Sequence, residues 1–106
     1  ICLTDFKLMY AFEYTIGKNE VFQTHYHYSY EIVYYKQGNG TTKIDGITYT
    51  FMPNTFSIIP PYIEHSDIYK ESGQVYCLRF FTSNKINIYV GTDYSGIFFE
   101  HYQQDN

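Results

Sequence analysis

Apolar and polar residues alternate with a period of two in short runs separated by turn residues, and this pattern restricts the fold more than any other feature. The even positions of residues 6–16 are Phe, Leu, Tyr, Phe, Tyr and Ile, whereas the odd positions include Lys7 and Glu13. A period of two is the side-chain repeat of a β-strand, and no segment keeps a long helical period. The sequence therefore predicts an all-β protein.

Turn signals separate the other predicted strands. The Asp-Gly pair at positions 45–46 lies between two β-rich runs and suits the positive φ angles of a tight hairpin. The Pro-Asn pair at 53–54 ends the next run, and two prolines at 60–61 close the strand TFSII, because proline cannot donate to a β-ladder. We interpret Gly38 and Gly40 as turn glycines. Many short strands with turns at this spacing favour a sandwich or barrel.

Length, charge and cysteine content limit the function. The 106 residues are enough for one domain, and no apolar run approaches the roughly 20 residues that cross a bilayer, so we expect no membrane partner. Seven basic and eleven acidic side chains give a net charge of −4, the wrong sign for a surface that binds phosphates. Cys2 and Cys77 show no pairing or zinc-ligand spacing. We therefore expect reduced thiols in a cytoplasmic protein that does not itself grip nucleic acid.

The segment HYHYSYE at residues 25–31 places histidines and a carboxylate on one face of a strand. In a straight strand His25 and Glu31 would lie about 20 Å apart, whereas a metal holds such ligands at roughly 2 Å. The chain must therefore reverse within residues 28–30 if His25, His27 and Glu31 are to meet. This reversal would place Glu31 on the neighbouring antiparallel strand. His65, which follows the two prolines, is the candidate for a fourth group.

Two segments carry a family resemblance. HYHYSYEIVYYKQG, residues 25–38, resembles the first cupin motif: HxH, three residues, Glu, six residues, Gly. MPNTFSIIPPYIEH is similar to the second motif, with Asn54 and Thr55 where a Gly-Asp type of pair is usual. Asparagine tolerates the left-handed conformation, so we expect the turn to survive. Together with the later YCLRF, residues 6–82 are similar to the N-terminal effector-binding domain of AraC-type bacterial transcription regulators.

This resemblance implies a fold and a biological setting. The fold is a double-stranded β-helix, that is, a cupin or jelly-roll barrel, and the last apolar run, IFFEHY, has the start of a C-terminal helix as an option. Residues 1–106 are expected to form a single cupin-like effector-binding domain, a fragment of a longer regulator. A small-molecule effector, with a sugar as one option, would bind inside the barrel of a homodimer. DNA would be contacted only through a C-terminal helix-turn-helix domain that this chain lacks.

The resemblance also implies the site. The candidates for effector binding are His25, His27, Glu31, His65 and Arg79. The three histidines and Glu31 match the set with which cupin enzymes hold iron, manganese, zinc or nickel, so a divalent metal is an alternative, although we expect no cofactor. Arg79 can clamp an anionic ligand group or pair with a carboxylate, and we favour the pair.

No acid–base group stands out beside these residues, so we expect a sensor and not an enzyme. A small metal-dependent cupin enzyme is the alternative, followed by a purely structural module. The tyrosines of the early strands can stack on a ligand ring or only fill the core.

Overall fold

A computed structural model describes residues 5–93, which form nine β-strands and no helix. The predicted all-β class is therefore confirmed, and no helix in this range could cross a membrane. The segment IFFEHY lies outside the described residues. In chain order, the strands are β1 (Lys7–Ile16), β2 (Val21–His25), β3 (Tyr30–Gln37), β4 (Gly40–Ile44), β5 (Ile47–Phe51), β6 (Thr55–Ile59), β7 (His65–Tyr69), β8 (Gly73–Phe81) and β9 (Tyr89–Thr92).

The strands form two antiparallel sheets that enclose the interior. One sheet has the order β1-β8-β3-β6-β9, and the other has the order β2-β7-β4-β5. This arrangement is the predicted jelly-roll barrel. Asp45 and Gly46 have φ angles of 51° and 82° and join paired strands at Ile44 and Ile47, which confirms the predicted hairpin. Asn54 has a φ of 71°, the left-handed conformation expected at the second motif.

The main core lies between the two sheets. Tyr35 on β3 stacks on Phe51 on β5, with ring centroids 3.9 Å apart and planes at 10°. Both rings are fully buried, and burying a side chain of this size contributes about 1.5–3 kcal/mol to folding. The buried residues of this cluster are Ile16, Val33, Tyr35, Ile44, Phe51, Ile59, Tyr69, Val75 and Cys77. The core thus fills the barrel around Tyr35. Glu31, near the start of β3, is not part of it.

A second apolar cluster covers the outer face of β3 and β8. Its buried members are Tyr30, Ile32, Tyr34, Ile58, Tyr76, Leu78 and Phe80. Because β3 is covered on both faces, its sequence is an almost continuous apolar run and does not alternate. The Tyr30 hydroxyl donates to the carbonyl of Asn84 and accepts from the amide of Ile86, each at 3.0 Å. These bonds hold the segment after β8 against the outer face.

A β-bulge interrupts the alternation of β1. Leu8 pairs with Phe80 and Tyr10 pairs with Arg79, so the register shifts between them. Leu8 consequently packs on the outer cluster, while the inward row of β1 starts at Tyr10. The alternation of the sequence does not reveal this shift, because Leu8 and Tyr10 are both large apolar residues at even positions. A bulge changes the face to which a residue points but not the residue types along the strand.

The two glycines that the sequence assigned to turns have different roles. Gly38 has a φ of 92° and occupies a turn, as predicted. Gly40 is instead the first residue of β4, so its assignment to a turn was wrong. A Cβ at this position would lie 2.0 Å from the carbonyl oxygen of Ile68. Gly40 is therefore needed for the close approach of two strands and not for a special backbone angle.

Candidate functional site

The candidate residues meet between the sheets. β2 and β3 belong to different sheets, so residues 26–29 carry the chain across the barrel. The prediction that Glu31 lies on the strand next to the histidines was therefore wrong, although the chain does reverse here. His25 pairs with His65 in one sheet, and Glu31 pairs with Arg79 in the other. Facing sheets bring the two pairs together.

Glu31 lies at the centre of this group and is only 5% exposed. Its Oε1 is 3.3 Å from Nε2 of His65, and its Oε2 is 3.6 Å from Nε2 of His27. Nε of Arg79 donates to Oε2 at 3.2 Å. A buried carboxylate needs such partners, because an unpaired buried charge is costly. Glu31 thus links the histidines to Arg79.

The three histidines form a compact group of nitrogen ligands. One ligand atom from each of His25, His27 and His65 lies within 4.8 Å of the others. Nδ1 of His25 is 2.6 Å from the carbonyl oxygen of Gln23, and Nδ1 of His65 is 2.9 Å from that of Ile63. An Nδ1–H that donates to a carbonyl leaves the Nε2 lone pair available to a ligand.

The buried ring nitrogens of the site support this assignment. Nε2 of His27 and Nε2 of His65 are buried and form no hydrogen bond of good geometry within residues 5–93. A neutral His65 ring, whose Nδ1 donates to the Ile63 carbonyl, would place its Nε2 acceptor against the Glu31 carboxylate, which a proton or a cation between them relieves. The donor set therefore fits a divalent metal, with His25, His27 and His65 as its ligands.

Arg79 pairs with the inward carboxylate, the role that the sequence favoured for it. Besides the bond to Glu31, its Nη1 donates to the hydroxyl of Tyr10 at 2.5 Å. The guanidinium carbon lies 5.3 Å from the ring centre of Tyr10 and 5.8 Å from that of Phe12. Within the described part of the chain, Nη2 has no acceptor. Its role as an anion clamp stays a prediction.

The contacts around Glu31 shift the pKa values of the site. Burial raises the pKa of Glu31, but the close contact with His65 and the nearby His27 and Arg79 side chains outweigh it and leave the pKa below its usual range. Burial lowers the pKa of His65, and Glu31 together with the Ile63 carbonyl raises it above its ordinary value. For His27 burial dominates over the attraction of Glu31 and lowers the pKa to about 4. At neutral pH Glu31 is therefore charged and His27 is neutral.

A cavity of about 110 Å³ adjoins this group. Its polar lining comes from His25, Glu31, His65, Asp67 and Arg79. The rest of its wall is aromatic and aliphatic, with Cys77 among the residues: Phe12, Tyr14, Phe22, Val33, Tyr35, Ile59, Tyr69, Val75 and Cys77. A few polar groups set in a largely apolar lining are typical of small-molecule sites.

Sequence reasoning missed several lining residues. Asp67 is an inward carboxylate that accepts a hydrogen bond from the Tyr35 hydroxyl at 2.8 Å. A signal for it existed, because Asp67 follows His65 by two residues and so shares its face of the strand. Phe22 gave no such signal, since a register shift between Phe22 and His25 breaks the repeat of β2.

The chain resembles a known protein family in sequence and several solved structures in fold. The sequence profile of the AraC-like ligand binding domain matches residues 11–82. No curated protein sequence matches the chain at a significant level.

Solved structures with similar folds include a cupin and two enzymes, all at low sequence identity. A RmlC-like cupin from Shewanella frigidimarina NCIMB 400 gives a TM-score of 0.66 at 18% identity, over 74% of this chain and 69% of that one. Salicylate 1,2-dioxygenase from Pseudaminobacter salicylatoxidans gives 0.65 at 11% identity, and the match covers 69% of this chain but only 21% of the enzyme. Oxalate decarboxylase from Bacillus subtilis, described with Mn(II) centres, gives 0.62 at 15% identity over 76% and 23% of the two chains. At these identities the likeness shows the fold alone.

Proposed function

Because the chain belongs to the family of AraC-like ligand-binding domains, we propose that it is the small-molecule-sensing domain of an AraC-type transcription regulator, with its effector in the cavity between the sheets. The observation that carries this proposal is the cavity itself, whose largely apolar lining includes a few charged and polar groups. The effector acts by binding one conformational state more tightly than another, since only differential affinity shifts an equilibrium. No group in the proposed mechanism has to perform chemistry, so we propose that the domain is not an enzyme.

The five residues of the site divide into two proposed roles. His25, His65 and Arg79 line the cavity and are proposed to touch the effector. Glu31, which also lines it, bonds to Arg79 and lies beside His65, so it positions both. His27 is not among the lining residues; its Nε2 lies 3.6 Å from Oε2 of Glu31, and it is proposed to fix the carboxylate. A ligand in this cavity would therefore contact residues of both sheets at once.

The larger assembly is part of the proposal. Residues 1–106 are proposed to be one effector-binding domain of a longer cytoplasmic regulator that forms a homodimer. DNA recognition is proposed to reside in a helix-turn-helix domain elsewhere in that protein. The net charge of −4 and the absence of a recognition helix from residues 5–93 support this division of labour.

A thermal-shift screen against sugars, small acids and aromatic metabolites tests the sensor function. An effector that binds only the folded state should raise the melting temperature in proportion to its occupancy. The His65→Gln variant should weaken that response, whereas Glu64→Gln, which changes the exposed neighbour of His65, should keep it. A library without any hit, or hits that bind equally well to His65→Gln, would contradict the proposal.

The histidine cluster supports a second candidate, a small metal-dependent enzyme. His25, His27 and His65 would hold the ion, which supplies Lewis acidity when bound. We expect no tightly held metal, because Arg79 bonds to the Glu31 carboxylate that faces His27 and His65, and its positive charge opposes a cation. Elemental analysis of protein purified without chelators or a histidine tag decides this. Near-stoichiometric iron, zinc, nickel or manganese that is lost in His27→Ala would favour the enzyme.

A further inference from the structure

A continuous row of aromatic rings runs along the open edges of the cavity. Tyr10, Phe12 and Tyr14 are successive inward residues of β1, with centroid distances of 5.3 and 4.8 Å. Tyr14 contacts Phe22 of β2 at 6.4 Å, and Phe22 contacts Tyr69 at 6.2 Å. β1 and β2 are the edge strands of their sheets, so the row bridges the gap between the sheets. We call the four rings that line the cavity, Phe12, Tyr14, Phe22 and Tyr69, the aromatic wall.

Three of the four rings of the aromatic wall are only partly covered by protein, whereas Tyr69 is buried. Tyr14 points inward but is 46% exposed, and Phe12 and Phe22 are partly buried, whereas Phe51 deeper in the barrel is 0% exposed. Inward rings normally bury their surface in the core. These rings instead present apolar surface to the cavity, and a ligand ring that covered it would gain from the burial.

Arg79 stands beside the wall in a fixed orientation. Glu31 holds its Nε, Tyr10 holds one N–H of Nη1, and the guanidinium lies near the ring of Phe12. The second N–H of Nη1 and both N–H groups of Nη2 have no acceptor within residues 5–93. A guanidinium edge of this kind matches a carboxylate with two parallel hydrogen bonds.

The acidic groups of the cavity already have donors. Glu31 is held by Arg79 and lies 3.3 Å from His65, and Asp67 accepts a hydrogen bond from Tyr35. Nη1 and Nη2 of Arg79 therefore offer donors to a ligand. Because Arg79 is positively charged and only partly exposed, a ligand that supplies an anionic acceptor at this point would form charge-assisted hydrogen bonds.

The volume limits the size of the ligand. The cavity of about 110 Å³ is smaller than the roughly 150 Å³ apolar cavity that accepts benzene in an engineered protein. One small ring therefore fits at the wall only if part of the ligand lies in the open edge between β1 and β2.

From these contacts we infer that the effector is a small carboxylate that carries one planar ring, with its carboxylate on Nη1 and Nη2 of Arg79 and its ring against the aromatic wall. This inference rests on the proposed sensor function and adds the chemical class of its ligand. Arg79 is then the residue that selects an anion over an uncharged ring or a polyol.

Calorimetric titration of the chain with four probes tests the inference. Benzoate carries both the ring and the charge. Benzyl alcohol has the ring without the charge, acetate has the charge without the ring, and xylose is a neutral polyol. Benzoate should bind at least about tenfold more tightly than each of the others, as the loss of a charge-assisted hydrogen bond or of a buried ring predicts.

Substitutions of Arg79 separate charge selection from folding. Arg79→Gln should weaken benzoate binding by about tenfold or more and leave the affinity for benzyl alcohol unchanged. Arg79→Lys keeps the charge that faces Glu31 but loses the planar fork, so it should fold like the parent and still bind benzoate more weakly. Lys36→Gln is the matched control, because Lys36 donates to the Tyr76 hydroxyl at 2.9 Å and lies over its ring, away from the cavity.

The outcomes distinguish this inference from the sensor function. Benzoate that binds no more tightly than benzyl alcohol, or equally well to the parent, Arg79→Gln and Arg79→Lys, would overturn the anion assignment. Binding of xylose without benzoate would overturn the ligand class and leave the sensor function intact. If none of the four probes binds, the ligand class is wrong, and the metabolite screen alone decides the sensor function.

Discussion

Among single residues, Glu31 does most to hold the site together. It is buried, it faces two histidines and Arg79, and it comes from the middle of the first motif. The spacing HxH, three residues, Glu was enough to select His25, His27 and Glu31 from the sequence. It could not supply Asp67 or the donors left over on Arg79, because these depend on which strands face each other.

Replacing the Glu31 carboxylate should destabilise the protein. Glu31→Gln removes the charge that Arg79 bonds to and that His65 faces, so a partly buried guanidinium loses its counter-ion. We expect a loss of about 1–3 kcal/mol in the free energy of unfolding, measured by urea titration. Glu64→Gln, at an exposed position, is the control and should change little. Equal stability of Glu31→Gln and the parent would show that the ion pair does not stabilise the fold.

Stability should fall in acid because of His27. Burial lowers the pKa of His27 from 6.5 to about 4, so between these values the unfolded chain binds more protons than the folded protein. The contribution of His27 to stability is present above about pH 6.5 and is lost as the pH falls to about 4. Over this window the metal-free parent should lose more unfolding free energy than His27→Gln. Parallel pH profiles of the two proteins would contradict the shift.

Among the elements, the sequence predicted several turn conformations correctly, because these depend on neighbouring residues. It did not predict which strands pair or in which register, because these depend on residues far apart in the chain. The hairpin at residues 45–46 and the left-handed Asn54 follow from a few neighbouring residues, and both were predicted correctly. The placement of β2 and β3 in opposite sheets was missed, because a reversal of the chain does not say whether the next strand pairs with the last. The bulge between Leu8 and Tyr10 was missed for a similar reason, since only the register with β8 reveals it.

Gly40 tests the close packing of β4 on β7. In Gly40→Ala the new methyl group would lie 2.0 Å from the Ile68 carbonyl oxygen and 2.8 Å from the Phe51 ring. Backbone must therefore move, and we expect a loss of about 1–3 kcal/mol in the unfolding free energy. Gly17→Ala is the matched control, because no atom lies within 4 Å of its added Cβ. A thermal or urea unfolding curve for Gly40→Ala that overlays that of Gly17→Ala would contradict the packing.

At the scale of the whole molecule, the charge and the fold support the proposed division between ligand sensing in this domain and DNA recognition elsewhere. The net charge is −4, and residues 5–93 contain no helix to enter a major groove. The resemblance of residues 6–82 to AraC-type effector domains was visible in the sequence because both cupin motifs are short and locally encoded. The identity of the ligand was not, because the cavity is built from six strands.

The isolated chain should therefore not bind DNA selectively. Phosphate contacts need basic side chains, and the acidic surface should repel the duplex most strongly at low salt. Fluorescence anisotropy with labelled duplexes at low ionic strength measures this directly. Site-selective submicromolar binding by residues 1–106 alone would contradict the proposed division between sensing and DNA recognition.

The central claim is that the effector binds between the sheets, beside the histidines. Histidine side-chain NMR of the chain, titrated with the strongest hit from the metabolite screen, tests it most directly. The imidazole signals of His25, His27 and His65, assigned by single substitutions, should shift together and give one shared Kd equal to that from calorimetry. A hit that raises the melting temperature and saturates by calorimetry while all three signals stay in place would contradict the account.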